Sequence, residues 1–321
     1  MKRNITTLLI ALLVLVACQS RVAPTSTPAP TSAGTGLSLT DDEGTKLDLG
    51  AVPQTIVSLT PGTTELLYAL GVGDRLRGRT NYDDYPPQAS AVPVVATYEG
   101  VQIENVVGIS PDLVIAGGNN FTDAGDVARL RELGIPVLVV YAASVDGVLA
   151  DIRLVGHAVG AEQAADETAR TIQARIDEVT AAVAGLERPR TFYEIGFEPD
   201  IYGPAPDSFV ADMVNLAGGD PITTSDPAVF SIPLERLVTL DPQLIVLGDA
   251  AYGTCPDNVT TRAGWAGMTA VRDGQVRPVD DTIVTRPGPR LGEGLAALAL
   301  AIHPDAAIAP PTAGTDYCPT L

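Results

Sequence analysis

Fifteen aromatic side chains are spread through 321 residues. About half of them, Tyr82, Tyr85, Tyr98, Phe121, Tyr202, Phe230 and Tyr252, fall in segments that read as loops rather than as helix or strand cores. Aromatic faces pack flat ligands and macrocycles at low entropy cost, and tyrosine hydroxyls add polar contacts; the same side chains can also simply seal loops onto the body. Residues 286–290 read RPGPR, a turn stiffened by two prolines and a glycine. It suits Arg286 or Arg290 as a fixed donor to a carboxylate, phosphate or amide, and one of the two is expected to pack against the helix that follows. The same loops carry Asp83, Asp84, Asp280 and Asp281 beside few cations, chiefly Arg79, Arg286 and Arg290. That balance favours a bulky ligand of low charge over a strongly anionic one. Nothing points to catalysis. No GxSxG, HExxH, Walker A or GxGxxG pattern occurs, and the two histidines, His157 and His303, lie outside these loops, so no site for a bare transition metal is expected.

The elements that must position these residues alternate between short apolar strands and helical stretches, the mark of α/β architecture with parallel sheets. Strands are expected at 55–59, 113–116, 136–140 and 191–195, with helices at 63–70 and 122–133 between them. An internal echo is the most informative feature. Residues 103–115 read IENVVGISPDLVI and residues 234–246 read LERLVTLDPQLIV. Each is a short helix opened by a glutamate (Glu104, Glu235), broken before proline and followed by a buried strand. A second echo precedes each copy, ELLYALGVGD at 65–74 and ADMVNLAGGD at 211–220. Between the halves, Ala165, Thr168, Ile172, Ile176, Val179 and Val183 recur at three- and four-residue steps, one face of a long helix. The expected fold is therefore two Rossmann-like α/β lobes joined by a single long helix, with a ligand cleft between them beyond the carboxyl ends of the strands.

The N-terminus reads as export machinery. Lys2 and Arg3 precede an apolar run at residues 8–17 that is too short for a bilayer span of about 20 residues. The run ends in Leu15-Val16-Ala17-Cys18, which resembles a bacterial lipobox and implies a lipidated Cys18. A Pro/Ser/Thr-rich tether follows to residue 36. The expected order is thus signal peptide 1–17, lipidated cysteine and tether 18–36, first lobe 37–159, connecting helix 160–187 and second lobe 188–321. Formal charge is −19; removal of Lys2 and Arg3, with no acid in the first seventeen residues, takes it to −21. So acidic a body is repelled by nucleic acid and by anionic headgroups. Membrane attachment then falls to the lipid. With Cys18 used by the anchor, Cys255 and Cys318 remain as an even pair in an oxidising compartment and are expected to form a disulfide.

Taken together, SLTPGTTELLYALG, NYDDYPPQA, ATYEG, IENVVGISPDLVIA, NLAGGDPI, IPLERLVTLDPQLIV and RPGPRLGEGLAALA resemble the ABC-importer binding proteins for ferric siderophores, haem and cobalamin, and within that cluster the vitamin B12-binding members, over about residues 52–305. The resemblance implies a binding protein and not an enzyme, with no intrinsic cofactor. Its cargo would be a metal-containing ligand, cobalamin or a ferric chelate, handed to a permease dimer at the extracytoplasmic face by a monomeric binding protein. It also implies that Glu104 and Glu235 form one acidic knob per lobe for permease arginines, beyond the helix-dipole role any such glutamate can play. Tyr82 matches a cleft tyrosine of the cobalamin proteins, Tyr98 stands where they have tryptophan, Phe230 lies near another, and Gly117 replaces a third aromatic. Two further readings share the fold: a haem binder using Tyr98 as a phenolate ligand, and a surface-anchored enzyme acting on a tetrapyrrole or metal chelate.

Overall fold

The structure, a computed structural model, describes residues 36–119, 121–312 and 317–318. The expected leader, Cys18 and residues 18–35 of the tether lie outside them. The described chain opens on an element absent from the expected order, a hairpin of β1 (Leu37–Thr40) and β2 (Lys46–Leu49). Alternation drives it: Leu39, Leu47 and Leu49 are buried while their neighbours face water. Asp41 builds the turn, accepting hydrogen bonds from the backbone N–H of Thr45 (2.7 Å) and Glu43 (3.1 Å).

The first lobe holds a six-stranded sheet of β3 (Ile56–Ser58), β4 (Leu76–Thr80), β5 (Val94–Thr97), β6 (Gly100–Val101), β7 (Leu113–Gly117) and β8 (Val137–Val140). Their spatial order is β6-β5-β4-β3-β7-β8, parallel throughout except for β5 against β6. The unbroken apolar runs follow from burial on both faces; every residue of β7 is buried. Its helices are α1 (Pro61–Ala69), α2 (Ile103–Ile109), α3 (Ala124–Glu132) and α4 (Val145–Ala158). Next comes α5 (Glu162–Val183), 22 residues or about 33 Å long. It buries Ala165, Ala169, Ile172, Ile176, Val179 and Val183 against α4 on one side and the helix Leu291–Ile302 on the other. Ala169, not Thr168, takes the second place on that face, because alternating steps of four and three keep a straight helix in register with both neighbours.

The second lobe carries β9 (Arg190–Glu194), a small pair β10 (Gly196–Phe197) and β11 (Ile201–Tyr202), then β12 (Asp220–Pro221), β13 (Leu244–Leu247) and β14 (Val276–Pro278). Its helices are α6 (Phe209–Leu216), α7 (Leu234–Leu240), α8 (Pro256–Thr260), α9 (Thr269–Arg272), α10 (Asp281–Val284) and α11 (Leu291–Ile302). The sheet order β12-β9-β13-β14 repeats β4-β3-β7-β8 of the first lobe, again all parallel.

The echoed segments coincide in detail. Both α2 and α7 are seven residues long, and each buries only its fourth residue, Val106 or Leu237. Each stops at a non-glycine in the left-handed region, Ser110 (φ 53°) or Asp241 (φ 45°), before the proline that cannot continue a helix. The second echo holds less tightly. Leu67 and Met213 are buried at matching places, but the left-handed glycine is Gly71 in one copy and Gly218 in the other, one position later.

Cys255, at the start of α8, is joined to Cys318 with their Cα atoms 5.9 Å apart. The bond closes a span of 63 residues. Replacing both cysteines by serine is expected to lower stability by about 2–4 kcal/mol, read as a fall in thermal midpoint; an unchanged midpoint would show that the tail contributes nothing.

Candidate ligand-binding site

A cavity of about 590 Å³ lies between the lobes, within the range of roughly 300–1,000 Å³ usual for small-molecule sites. Loops at the carboxyl ends of the parallel strands wall it. The chain after β3 gives Thr60 to Thr63, that after β7 gives Gly117 to Asn119 and Phe121, and that after β8 gives Tyr141 and Ala142. From the second lobe come Ile195 after β9, Ala251 and Tyr252 after β13, and Asp281, Thr282 and Thr285 to Pro287 beyond β14. This is the placement parallel α/β sheets favour, since strand ends present free backbone groups and helix N-termini together.

Of the residues singled out from sequence, Tyr82, Phe121, Phe230, Tyr252, Asp281 and Arg286 line the cavity. Tyr98 does not. It sits on the tight turn between β5 and the antiparallel edge strand β6, 79% exposed, its hydroxyl 3.3 Å from Glu99. The haem reading built on a Tyr98 phenolate therefore loses its residue. Gly117 is not an empty place either: a side chain there would meet Thr60 and Phe121, so Phe121 supplies the aromatic surface from four residues on.

Arg290 is also absent from the cavity wall. Its Nε and Nη2 donate to Glu65 at 2.7 and 2.6 Å, and its guanidinium lies 4.2 Å from the centre of the Tyr85 ring. Arg286 Nη1 shares the same carboxylate at 3.2 Å and reaches Asp84 at 2.5 Å. Glu65 lies on α1 of the first lobe and both arginines precede α11 in the second, so the cluster fastens lobe to lobe beside the cavity. Close backbone approach supports it: a Cβ at Gly62 would collide with the carbonyl oxygen of Pro287. Burial works to raise the Asp84 carboxyl, but Arg286 outweighs it and holds Asp84 below the usual carboxylate range.

The acids around the cavity are mostly engaged. Asp83 is buried, accepts from the hydroxyls of Thr64 (2.5 Å) and Thr80, and is raised by that burial. Asp281 accepts from the Tyr193 hydroxyl at 2.8 Å and is likewise raised by burial. Beneath them Arg262 grips Glu194 through two bonds of 2.6 and 2.9 Å and stacks on Phe197 and Trp265. Arg286 is the one cation on the wall among the described residues, against Asp151 and Asp281. Among the described residues no group of three or more His, Cys, Asp or Glu could hold a metal.

Sequence reasoning missed the deeper wall: Val148, Asp151, Ile152 and Val155 of α4, and Ser208 to Val210 at the start of α6. An apolar helix face gives no sign whether it meets core or cavity; Asp151 within such a face was the available signal. Glu104 and Glu235 are exposed in the first turns of α2 and α7, with no ion-pair partner among the described residues.

The comparisons with known proteins agree with this geometry. Residues 56–282 match the family described as periplasmic binding protein. The chain is 35% identical over 258 residues to an uncharacterized ABC transporter substrate-binding lipoprotein, YvrC, of Bacillus subtilis, covering 79% of this chain and 81% of that one. It is 31% identical over 274 residues to a cobalamin-binding protein of Halobacterium salinarum, covering 82% and 73%. The crystal structure of the periplasmic vitamin B12-binding protein BtuF of Vibrio cholerae superposes with a TM-score of 0.69 at 26% identity, over 78% of this chain and 97% of that one. These relatives are binding proteins rather than enzymes, so what such a cleft holds is cargo and not a resident cofactor. The chain belongs to the periplasmic binding protein family, as an extracytoplasmic solute-binding protein of the ABC-importer class.

Proposed function

We propose that this protein is a lipid-anchored monomer that captures a corrinoid or a ferric siderophore and delivers it to the permease dimer of an ABC importer. The observation that carries this reading is the interlobe cavity, mainly apolar and aromatic-walled, with the one arginine that lines it among the described residues already engaged by Glu65 and Asp84. Such a wall stacks a large neutral ligand well and has little positive charge to spare for a polyanion. Relatives that carry the names cobalamin-binding and vitamin B12-binding protein support the corrinoid member of the pair. The anchor rests on Cys18 and the lipobox-like residues before it, and on the lipoprotein named among the relatives; among the described residues no helix is long and apolar enough to cross a membrane.

Glu104 and Glu235 are the proposed permease contacts. Two like acids on two topologically equivalent helices suit a partner with two-fold symmetry. The ligand assignment is tested by thermal-shift titration with cyanocobalamin, ferrichrome and a ferric tris-catecholate. Stabilisation by one of the first two is expected, by about 3 kcal/mol at a hundredfold excess over Kd. Stabilisation by the catecholate alone would overturn it.

A further inference from the structure

Tyr141, just beyond β8, is held from two directions. β8 is an edge strand of the first sheet, and the β1–β2 turn takes up backbone groups that the edge leaves free. The Asp42 N–H donates to the Val139 carbonyl at 3.2 Å, and the Val139 N–H donates to Asp41 Oδ2 at 3.3 Å. The Tyr141 N–H donates to Asp42 Oδ2 at 2.6 Å. Arg131 of α3 secures the same turn through Asp41 at 2.8 Å and Glu43 at 3.2 Å. This hairpin lies outside residues 56–282, the part matched by the family. From the other direction Tyr141 packs on the loop after β7, where a Cβ at Gly118 would fall 2.8 Å from that of Tyr141. The next residue, Asn119, sits in the left-handed region at φ 52°, which asparagine tolerates better than most side chains. Its Nδ2 donates to the Tyr141 hydroxyl oxygen at 2.9 Å. Both Tyr141 and Asn119 line the cavity.

Resting on the transport reading above, we propose that Tyr141 is a specificity-determining residue whose hydroxyl donates to an uncharged oxygen of the cargo, such as an amide or hydroxamate carbonyl, with Asn119 and Asp42 as its positioning residues. A phenol hydroxyl accepts through its oxygen and donates through one hydrogen. The Asn119 amide occupies the oxygen, and no acceptor among the described residues takes the hydrogen. Water satisfies an open hydroxyl, but cargo that fills the cavity expels it. A carbonyl oxygen placed there keeps the donor paired, whereas an apolar atom leaves it unpaired. Nearby charge decides against an anionic oxygen. Asp42 holds the Tyr141 backbone and hydrogen-bonds the side chain of Asp151 on the same cavity wall. Arg286, the one cation on that wall among the described residues, is already engaged by Glu65 and Asp84. A carboxylate or catecholate oxygen at Tyr141 would therefore meet negative charge with nothing to offset it.

The experiment is titration calorimetry of the full mature chain with cyanocobalamin and ferrichrome. Tyr141→Phe removes the hydroxyl alone, and is expected to weaken binding about three- to tenfold while the ligand-free thermal midpoint stays in place. Asn119→Asp keeps the shape but presents a carboxylate that accepts the Tyr141 hydrogen and turns it from the cargo, so it is expected to weaken binding as well. Combined with Tyr141→Phe it should add little, because the two act through one hydrogen. Asp42→Ala is expected to weaken binding, and Asp42→Asn, which keeps an acceptor for the Tyr141 N–H, to recover most of that loss. A Tyr141→Phe variant that binds like wild type, or an Asn119→Asp effect of the same size with and without the hydroxyl, would overturn the inference and leave the transport reading standing. Failure of wild type to bind either probe would overturn both.

Discussion

Replacing Glu65 with alanine is expected to cost roughly 3–5 kcal/mol of stability, the loss typical of breaking a buried ion pair from one side. The Glu65 side chain is 1% exposed and accepts from Nε and Nη2 of Arg290 and from Nη1 of Arg286. Without it Arg290 keeps the Tyr85 ring and the Thr282 carbonyl, and Arg286 keeps Asp84, but two largely buried guanidinium groups lose their shared counter-charge. Glu65→Gln, which preserves shape and an acceptor but not charge, should fall between wild type and alanine. Because the partners come from opposite lobes, faster hydrogen exchange is expected in α1 and in residues 281–290 together. The measurement is the urea midpoint with its slope; a loss under about 1 kcal/mol, the value of an exposed pair, would show that the lobes hold without this cluster.

The opposite pattern is expected for Glu104→Ala combined with Glu235→Ala. Both side chains are exposed and make no ion pair among the described residues, so stability should change by no more than about 1 kcal/mol per site, the scale on which a carboxylate in the first turn favours its helix dipole. Cargo affinity should not change, since neither residue lines the cavity. Uptake in cells should nonetheless collapse. A carboxylate paired with arginine in a closed interface is worth about 2 kcal/mol or more on truncation, so two of them amount to on the order of a hundredfold or more in docking affinity. Either single variant should lose part of this, because on the docking proposed above each of the two equivalent helices would meet one half of the partner. Normal uptake by the double variant would remove these acids from the docking surface.

How far the sequence reveals the molecule differs from element to element. The α/β alternation, the connecting helix and the helix-proline-strand echo are legible because each is written in local periodicity and in a chain-stopping proline. The hairpin at residues 37–49 escapes such a reading although its leucines alternate, because four-residue strands without a tight two-residue turn give little signal. Tyr82, Phe230, Tyr252 and Arg286 can be placed at the cavity by one rule, that loops beyond parallel strand ends meet the ligand. Tyr98 obeys the same rule and still lies outside, because an antiparallel edge strand turns the chain away at that point.

By itself the sequence determined where the long helices and the buried strands of the two sheets lie and that two halves share one plan, since these depend on neighbours within a few residues. Only the tertiary structure decided that Glu65 is buried between two arginines more than 200 residues away, that Arg290 clamps while Arg286 faces the cavity, and that Asp151 looks into it beside Asp42. A charge's role is set by what surrounds it in space, and those surroundings come from the other lobe or a distant turn, where no local pattern can record them.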